Sequence, residues 1–374
     1  FCGDEALVRG YMKNRGVDLA TARNRIASGC NWMCVPGREY PMNDTVKINV
    51  ARVFEVAFHD MTDAEPSPST ALLMDYFKKH LSIAVDVAAR GANLHIDHAH
   101  EVQPELMLNL LTHESVESGL DVSQCAELYT VGVDGAGLAV AADSFAAIEQ
   151  RVEREGRLSW EAVHGALHSD FAGIDGERTR LMLSSSERYC QGGSLGDKWA
   201  RAITDAFVEL VHNHPMPEGR QLVPGWFSWS RTILYGEAVG ATPNGRRARA
   251  PISHGANPVP GFRRDGAVTA QSSGIAAVQP GCGNAAPLQL EFDPKLSLEE
   301  GGADRVLQLI RKHFELGGTL ININVLDQEV LLAANENPDL FPELVVRVTG
   351  FTAYFASLSP KFRQLVVDRF LSGF

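Results

Sequence analysis

The chain has 374 residues, 45% of them hydrophobic, with a formal net charge of −12 and no basic run interleaved with aromatics, which makes nucleic acid and anionic membrane surfaces poor partners. No apolar run approaches the ~18 residues that span a bilayer, and the first residues carry neither a charged n-region nor an apolar h-region. Six cysteines dispersed over so long a chain make no disulfide framework, so reduced thiols, a cytoplasmic setting and a small-molecule substrate are expected.

Residues 3–28 carry helical spacing. The chain begins with Phe1 in what reads as the middle of that pattern, so an N-terminal truncation is expected. The run leads into SGCNWMCVPGREYPMNDT, a loop punctuated by Gly and Pro, and VKINVARVFEVAFHDM (46–61) then resumes an amphipathic helical period. A loop framed by two rigid elements is a good place to expose functional side chains.

Segments 69–94, 101–119, 143–165 and 196–214 read as further helices, the third capped by Asp143 or Ser144. Between them AELYTVGV and GLAVAA suit buried strands, and the alternation predicts an α/β fold with a largely parallel sheet. Over 215–300 regular periodicity fades and Pro, Gly and Asn recur, which predicts a long loop-rich connection. Then follow a helix at 301–317, the strand TLININVL, the helix QEVLLAANENP and the extended segment LVVRVTGFTAYF. A final helix, SPKFRQLVVDRFL, has Pro360 in its first turn.

Two features call for a chemical reading. Gly350 interrupts a run of β-branched and aromatic residues, where a glycine costs conformational entropy and contributes no side chain. It marks either a bulge or tight bend, or a chemistry that needs an α-carbon with nothing attached. Cys30 and Cys34 form a C-x3-C pair, but zinc takes four ligands, and His95, His98 and His100 fall on a helical stretch with no evident complement. No metal site is expected.

The segment LVVRVTGFTAYFASLS closely resembles the C-terminal signature of the glycyl radical enzymes, the family of pyruvate formate-lyase, choline trimethylamine-lyase, the arylacetate decarboxylases and benzylsuccinate synthase. Their Arg-Val-x-Gly-[Tyr/Phe] motif maps onto Arg347, Val348, Thr349, Gly350 and Phe351, which implies a stored radical on the Gly350 α-carbon. A planar α-radical shared between the flanking amide and carbonyl explains why the residue is glycine. ARNRIASGCNWMCVPGREY resembles the family's catalytic-cysteine loop, Gly-Cys-Val-Glu-Pro followed by Pro-Gly-Arg. The resemblance implies Cys30, preceded by Gly29, as the thiyl that takes the radical from Gly350 and abstracts hydrogen from substrate, with Cys34 as the alternative thiyl.

VGATPNGRRARAPISHGANPVPG and GGTLININVLDQEVL resemble further family segments in the same order, so the likeness covers essentially the whole chain. The implied fold is a ten-stranded α/β barrel of two half-sheets, of which this chain is the C-terminal half. Residues 1–295 would form the second half of the barrel with the cysteine loop, and 296–374 the glycyl radical domain.

Within the family the residue two after the cysteine is commonly glutamate; here it is Trp32. An indole cannot move a proton, but it can wall an apolar pocket. The resemblance is therefore closest to the X-succinate synthase branch, the benzylsuccinate and alkylsuccinate synthases, which add a hydrocarbon to fumarate. Arg38 and Lys47, on the loop and the helix after it, are the candidates to hold fumarate. The alternatives are a glycyl radical decarboxylase, a formate C-acetyltransferase-like lyase, or a non-catalytic spare part, against which the retained Cys30 loop argues. The family further implies a radical-SAM activating enzyme with an iron–sulfur cluster, a homodimer, small accessory subunits, and no cofactor on this chain beyond the glycyl radical at Gly350.

Overall fold

The computed structural model describes residues 4–28, 32–217, 219–260, 268–282, 284–348 and 351–372. Two short strands, β1 (Ile26–Ser28) and β2 (Trp32–Cys34), pair antiparallel. Then β3 (Glu39–Asn49), β4 (Leu128–Ala136) and β5 (Arg220–Trp226) lie side by side and parallel. A second parallel pair is made by β6 (Leu288–Phe292) and β7 (Ile321–Val325). The Trp226 N–H donates to the Ala285 carbonyl at 3.3 Å, bringing the end of β5 against the segment that enters β6. Last comes an antiparallel hairpin, β8 (Val345–Arg347) and β9 (Thr352–Tyr354).

Helices return the chain between parallel strands: Val50–Ala64 after β3, Leu138–Ile148 after β4 and Gly302–Glu315 between β6 and β7. Because side chains alternate along a strand, each strand offers one face to these helices and one to the interior. Val131 and Val133 of β4 and Leu288, Leu290 and Phe292 of β6 join one core with Phe54, Phe58, Phe145 and Phe207 of the helices. The alternate positions, Thr130, Asp134, Gln289, Glu291, Asn322 and Asn324, are polar and buried. Parallel strands covered on both faces ordinarily read apolar throughout, so a polar inner face marks an interior kept for something other than packing. A separate small core gathers Leu326, Leu331, Val346, Val348, Phe355, Val366, Val367 and Phe370. The division expected at 295/296 falls between β6 and the helix Gly302–Glu315.

Several expected elements differ. Residues 46–49 belong to β3, not to a helix; the helix begins at Val50, where the Asn49 side chain accepts the Arg52 N–H at 3.1 Å. Lys47 therefore lies on a strand. GLAVAA is no strand: Gly137, at φ 86°, starts the helix Leu138–Ile148, which is buried on every side and so shows no 3.6 period. Asp143 and Ser144 lie inside that helix and cap nothing; Asp143 accepts the Tyr189 N–H at 2.7 Å. The expected 143–165 helix breaks after the π-turn Glu149–Arg154 and resumes at Trp160. The expected 101–119 helix is also broken: Pro104 follows the end of the helix Thr70–Val102, and the short helices Leu106–Asn109 and His113–Ser118 come after it. The stretch 215–300 holds β5, the helix Val268–Ala276 and β6, elements hidden by Pro224, Gly225 and the surrounding prolines.

Candidate functional site

Cys30 and Gly350 both lie outside the described residues; the elements that carry them are described. β1 and β2, which flank Cys30 in the sequence, pair from Ile26 with Cys34 to Ser28 with Trp32. Cys34, the alternative thiyl, is buried at the end of β2. Beyond it the chain turns at Gly37, φ 76°, whose carbonyl accepts the His113 N–H at 2.9 Å; a Cβ there would press into the His113 ring.

The base of this hairpin is held by a carboxylate that sequence reasoning passed over. Glu39 is buried, and it accepts the Val35 N–H at 2.8 Å, the Tyr11 hydroxyl and the Thr130 hydroxyl. Arg15 reaches it at 3.4 Å and donates to the Tyr129 carbonyl at 2.8 Å. Burial, reinforced by Glu39, pushes the Tyr11 phenol well above its usual range, and burial lowers Arg15 against the pull of Glu39. One carboxylate thus ties the helix Asp4–Arg15, the exit of the cysteine hairpin and strands β3 and β4 together. The available signal was a glutamate at the head of a buried strand.

The glycine hairpin is held from β7. Asn324 Oδ1 accepts the Arg347 N–H at 2.6 Å, and Asn324 Nδ2 donates to the Arg347 carbonyl at 2.9 Å. Across the hairpin Arg347 pairs with Thr352, and the Val348 N–H donates to the Phe351 carbonyl at 3.0 Å. Phe351 meets the Trp229 ring edge-on, centroids 6.3 Å apart. The alternation I-N-I-N-V in β7 was the trace of this clamp in the sequence.

Behind the hairpin the helix Pro360–Ser372 closes against β6, where Arg369 pairs with Glu291 at 2.6 Å. Between them lies a cavity of ≈ 70 Å³ lined by His254, Gln289, Glu291 and Arg369 among others. Burial lowers His254 to about 3, so it is neutral there.

The expected fumarate anchors are both engaged. Arg38 donates to Glu127 through Nε at 2.7 Å and also through Nη2, on a partly exposed rim. Lys47 points inward and is buried between Asp134 and Asp44, the latter at 2.6 Å. Burial works against its charge, but the two carboxylates outweigh it and raise its pKa above the usual lysine value. Trp32 stands opposite Ser28 in the hairpin. Among the described residues no group of three or more His, Cys, Asp or Glu could hold a metal ion, and no helix is long and apolar enough to cross a membrane.

Comparison with known proteins places this architecture. The family model described as pyruvate formate lyase-like matches residues 1–236, and the model described as glycine radical matches 252–356, a span that includes Gly350. The chain belongs to the pyruvate formate lyase-like family, the glycyl radical enzymes. It is 25% identical to the trans-4-hydroxy-L-proline dehydratase of Clostridioides difficile over 99% of this chain and 48% of that protein. It is 24% identical to the isethionate sulfite-lyase of Oleidesulfovibrio alaskensis over 98% of this chain and 46% of the relative. A crystal structure of a glycyl radical enzyme from Archaeoglobus fulgidus superposes with a TM-score of 0.89 at 26% identity, covering 98% of this chain and 48% of that one. The chain therefore spans about half the length of the relatives it matches. The fold is the glycyl radical enzyme fold, an α/β domain followed by a glycine radical domain, and the glycine radical match agrees with a glycyl radical as the modification.

Proposed function

We propose that this protein acts as a glycyl radical lyase in which Gly350 stores the radical and Cys30 forms the thiyl that takes a hydrogen atom from a small-molecule substrate. The observation that carries this reading is that one chain matches the pyruvate formate lyase-like model across the cysteine hairpin and the glycine radical model across the β8–β9 hairpin. Cys34 is the alternative thiyl. A radical-SAM activating enzyme with an iron–sulfur cluster supplies the radical, and the working unit is a homodimer, with small accessory subunits as a further family expectation.

Fumarate addition remains the reading supported by Trp32, since thiyl abstraction, radical addition and hydrogen return need no acid or base. A second reading, elimination or decarboxylation, is favoured by a specific observation: Arg38 and Lys47 are each already paired with carboxylates. A dicarboxylate would have to displace those pairs to use them. The names of the relatives, a dehydratase and a sulfite-lyase, support the same side.

The deciding experiment is anaerobic activation followed by electron paramagnetic resonance and product analysis. A glycyl doublet is expected from the wild type and should vanish in Gly350→Ala, while Cys30→Ser should keep the doublet and lose turnover. A doublet that survives Gly350→Ala overturns the glycine assignment, and full turnover by Cys30→Ser overturns the cysteine one. Fumarate plus toluene, set against trans-4-hydroxy-L-proline or isethionate, separates the two chemistries.

A further inference from the structure

Asp134 sits near the C-terminal end of β4, level with Lys47 on β3 and Gly225 on β5. It is fully buried, and Lys47 Nζ donates to its Oδ2. The other oxygen, Oδ1, has no hydrogen-bond partner. Asn284 Nδ2 comes up beside it, likewise without a bond of hydrogen-bond geometry, and both atoms lie over the bare Cα of Gly225, where a Cβ would strike them. An unpaired buried acceptor is costly, so an oxygen left over on a fully buried carboxyl calls for a partner. Two links tie this group to the glycine hairpin. Lys47 Nζ lies 5.6 Å from the Phe227 ring centroid, and two residues on Trp229 meets Phe351.

We infer that Asp134 is a catalytic residue that takes a proton from a substrate heteroatom inside the barrel and delivers it to the leaving group, with Lys47 as the positioning residue that holds Oδ2 so that Oδ1 faces the substrate. The inference rests on the glycyl radical reading and selects its eliminating member.

In that chemistry the thiyl removes a hydrogen atom from carbon. Asp134, as carboxylate, takes the proton of the heteroatom on that carbon, whose bonding electrons stay behind. The neighbouring C–X bond breaks with its electron pair on X, and Asp134 returns the proton to X as HX. The product radical recovers its hydrogen atom from the cysteine thiol. One hydrogen atom and one proton leave and return, so no outside oxidant or reductant is needed. An indole cannot serve as the proton carrier, and Asp134 on β4 provides a carboxyl that can.

The environment suits the task. Burial raises Asp134 to about 7 against the lowering pull of Lys47; Asp44 adds to the rise, the Asn284 amide opposes it, and Tyr235 faces the same charges from the helix Thr232–Glu237. Both protonation states are then populated near neutral pH, where a proton carrier works best.

The test uses the full-length protein. After activation, trans-4-hydroxy-L-proline, isethionate, and fumarate with toluene are supplied separately to wild type, Asp134→Asn and Lys47→Met. Expected is a glycyl doublet in all three, elimination from one of the first two compounds by the wild type, and a turnover loss of about 100-fold or more in Asp134→Asn. Lys47→Met should move the acid limb of the turnover profile to higher pH, since the lysine holds the carboxyl down. Turnover by Asp134→Asn within about threefold of wild type overturns the inference, because general acid–base help contributes ~10²-fold or more. Consumption of fumarate and toluene alone overturns it while leaving the glycyl radical reading intact; absence of any wild-type doublet removes both. Infrared spectra across about pH 5 to 9 cover a protein that consumes none of these compounds. A protonated-carboxyl band that titrates, disappears in Asp134→Asn and titrates at higher pH in Lys47→Met supports the assignment, and its absence from the wild type overturns it.

Discussion

Asn324 grips the main chain of Arg347 from both sides, accepting its N–H at 2.6 Å and donating to its carbonyl at 2.9 Å. This is the bond pattern of a neighbouring strand delivered by one side chain. It carries the inner face of β7 onto the hairpin that bears the Arg-Val-x-Gly motif. The glycine segment is therefore referenced to the barrel wall and not only to its own small core.

Replacing Asn324 by Leu leaves two backbone groups of Arg347 without that partner. The expected loss is about 2–3 kcal/mol, at roughly 1 kcal/mol or more for each bond lost. Urea denaturation measures it, and a loss below about 0.5 kcal/mol would show that the clamp contributes nothing.

Glu39 is the corresponding anchor for the cysteine hairpin. Glu39→Ala leaves the Arg15 side chain, only 4% exposed, without its carboxylate and removes the acceptor of Val35, Tyr11 and Thr130. Removing one member of a buried pair costs about 3–5 kcal/mol, so this variant should melt far below wild type or fail to fold. A melting temperature unchanged in Glu39→Ala contradicts the anchoring role.

Gly135 allows the Trp226 indole to lie against β4. Gly135→Ala places a methyl within that ring and should cost about 1–3 kcal/mol by overpacking. The same substitution at Gly156, which has φ 61° and no neighbour within 4 Å of an added Cβ, tests backbone strain alone and separates the two effects.

His313 supplies a pH prediction. It is buried, with Nδ1 3.0 Å from the Ser272 hydroxyl, and burial lowers it to about 4 despite the backbone of Ser272. The folded state then binds fewer protons than the unfolded one between about pH 6.5 and 4, so its stabilising share is complete above about 6.5 and is lost as the pH falls toward 4. Wild type should therefore lose on the order of 3 kcal/mol more than His313→Leu over that window in acid denaturation. Parallel stability curves for the two proteins would contradict it. Asp134, raised to about 7, works in the opposite sense over the same range, which is why the comparison is made against the variant.

The outline of the fold was legible where a pattern had one cause. The helices Thr70–Val102, Leu195–His212 and Gly302–Glu315 have a polar side, and their period showed. Leu138–Ile148 is buried on all sides, so its period vanished and its first part, within GLAVAA, passed for a strand. β5 was hidden because Pro224 and Gly225 ordinarily demote a strand, yet it pairs along β4 through both residues. Glu39 and Asp134 gave little warning, since a lone acidic residue in an apolar run reads equally as a strand end or a turn.

From its residues alone this protein could be seen to alternate helix with strand, to avoid polyanions, and to carry a cysteine loop and a late glycine segment of glycyl radical type, because those properties live in local order along the chain. Which buried charges neutralise one another is a different kind of fact. Asp134 meets Lys47 across 87 positions of sequence, and Arg38 meets Glu127 across 89, through strand register and loop placement that no local pattern encodes. Only the folded chain decides that the two cations expected to hold a dicarboxylate are already spoken for, and that one oxygen of a buried carboxyl is left without a hydrogen-bond partner, because energies of buried charge depend on what lies within a few ångströms in space.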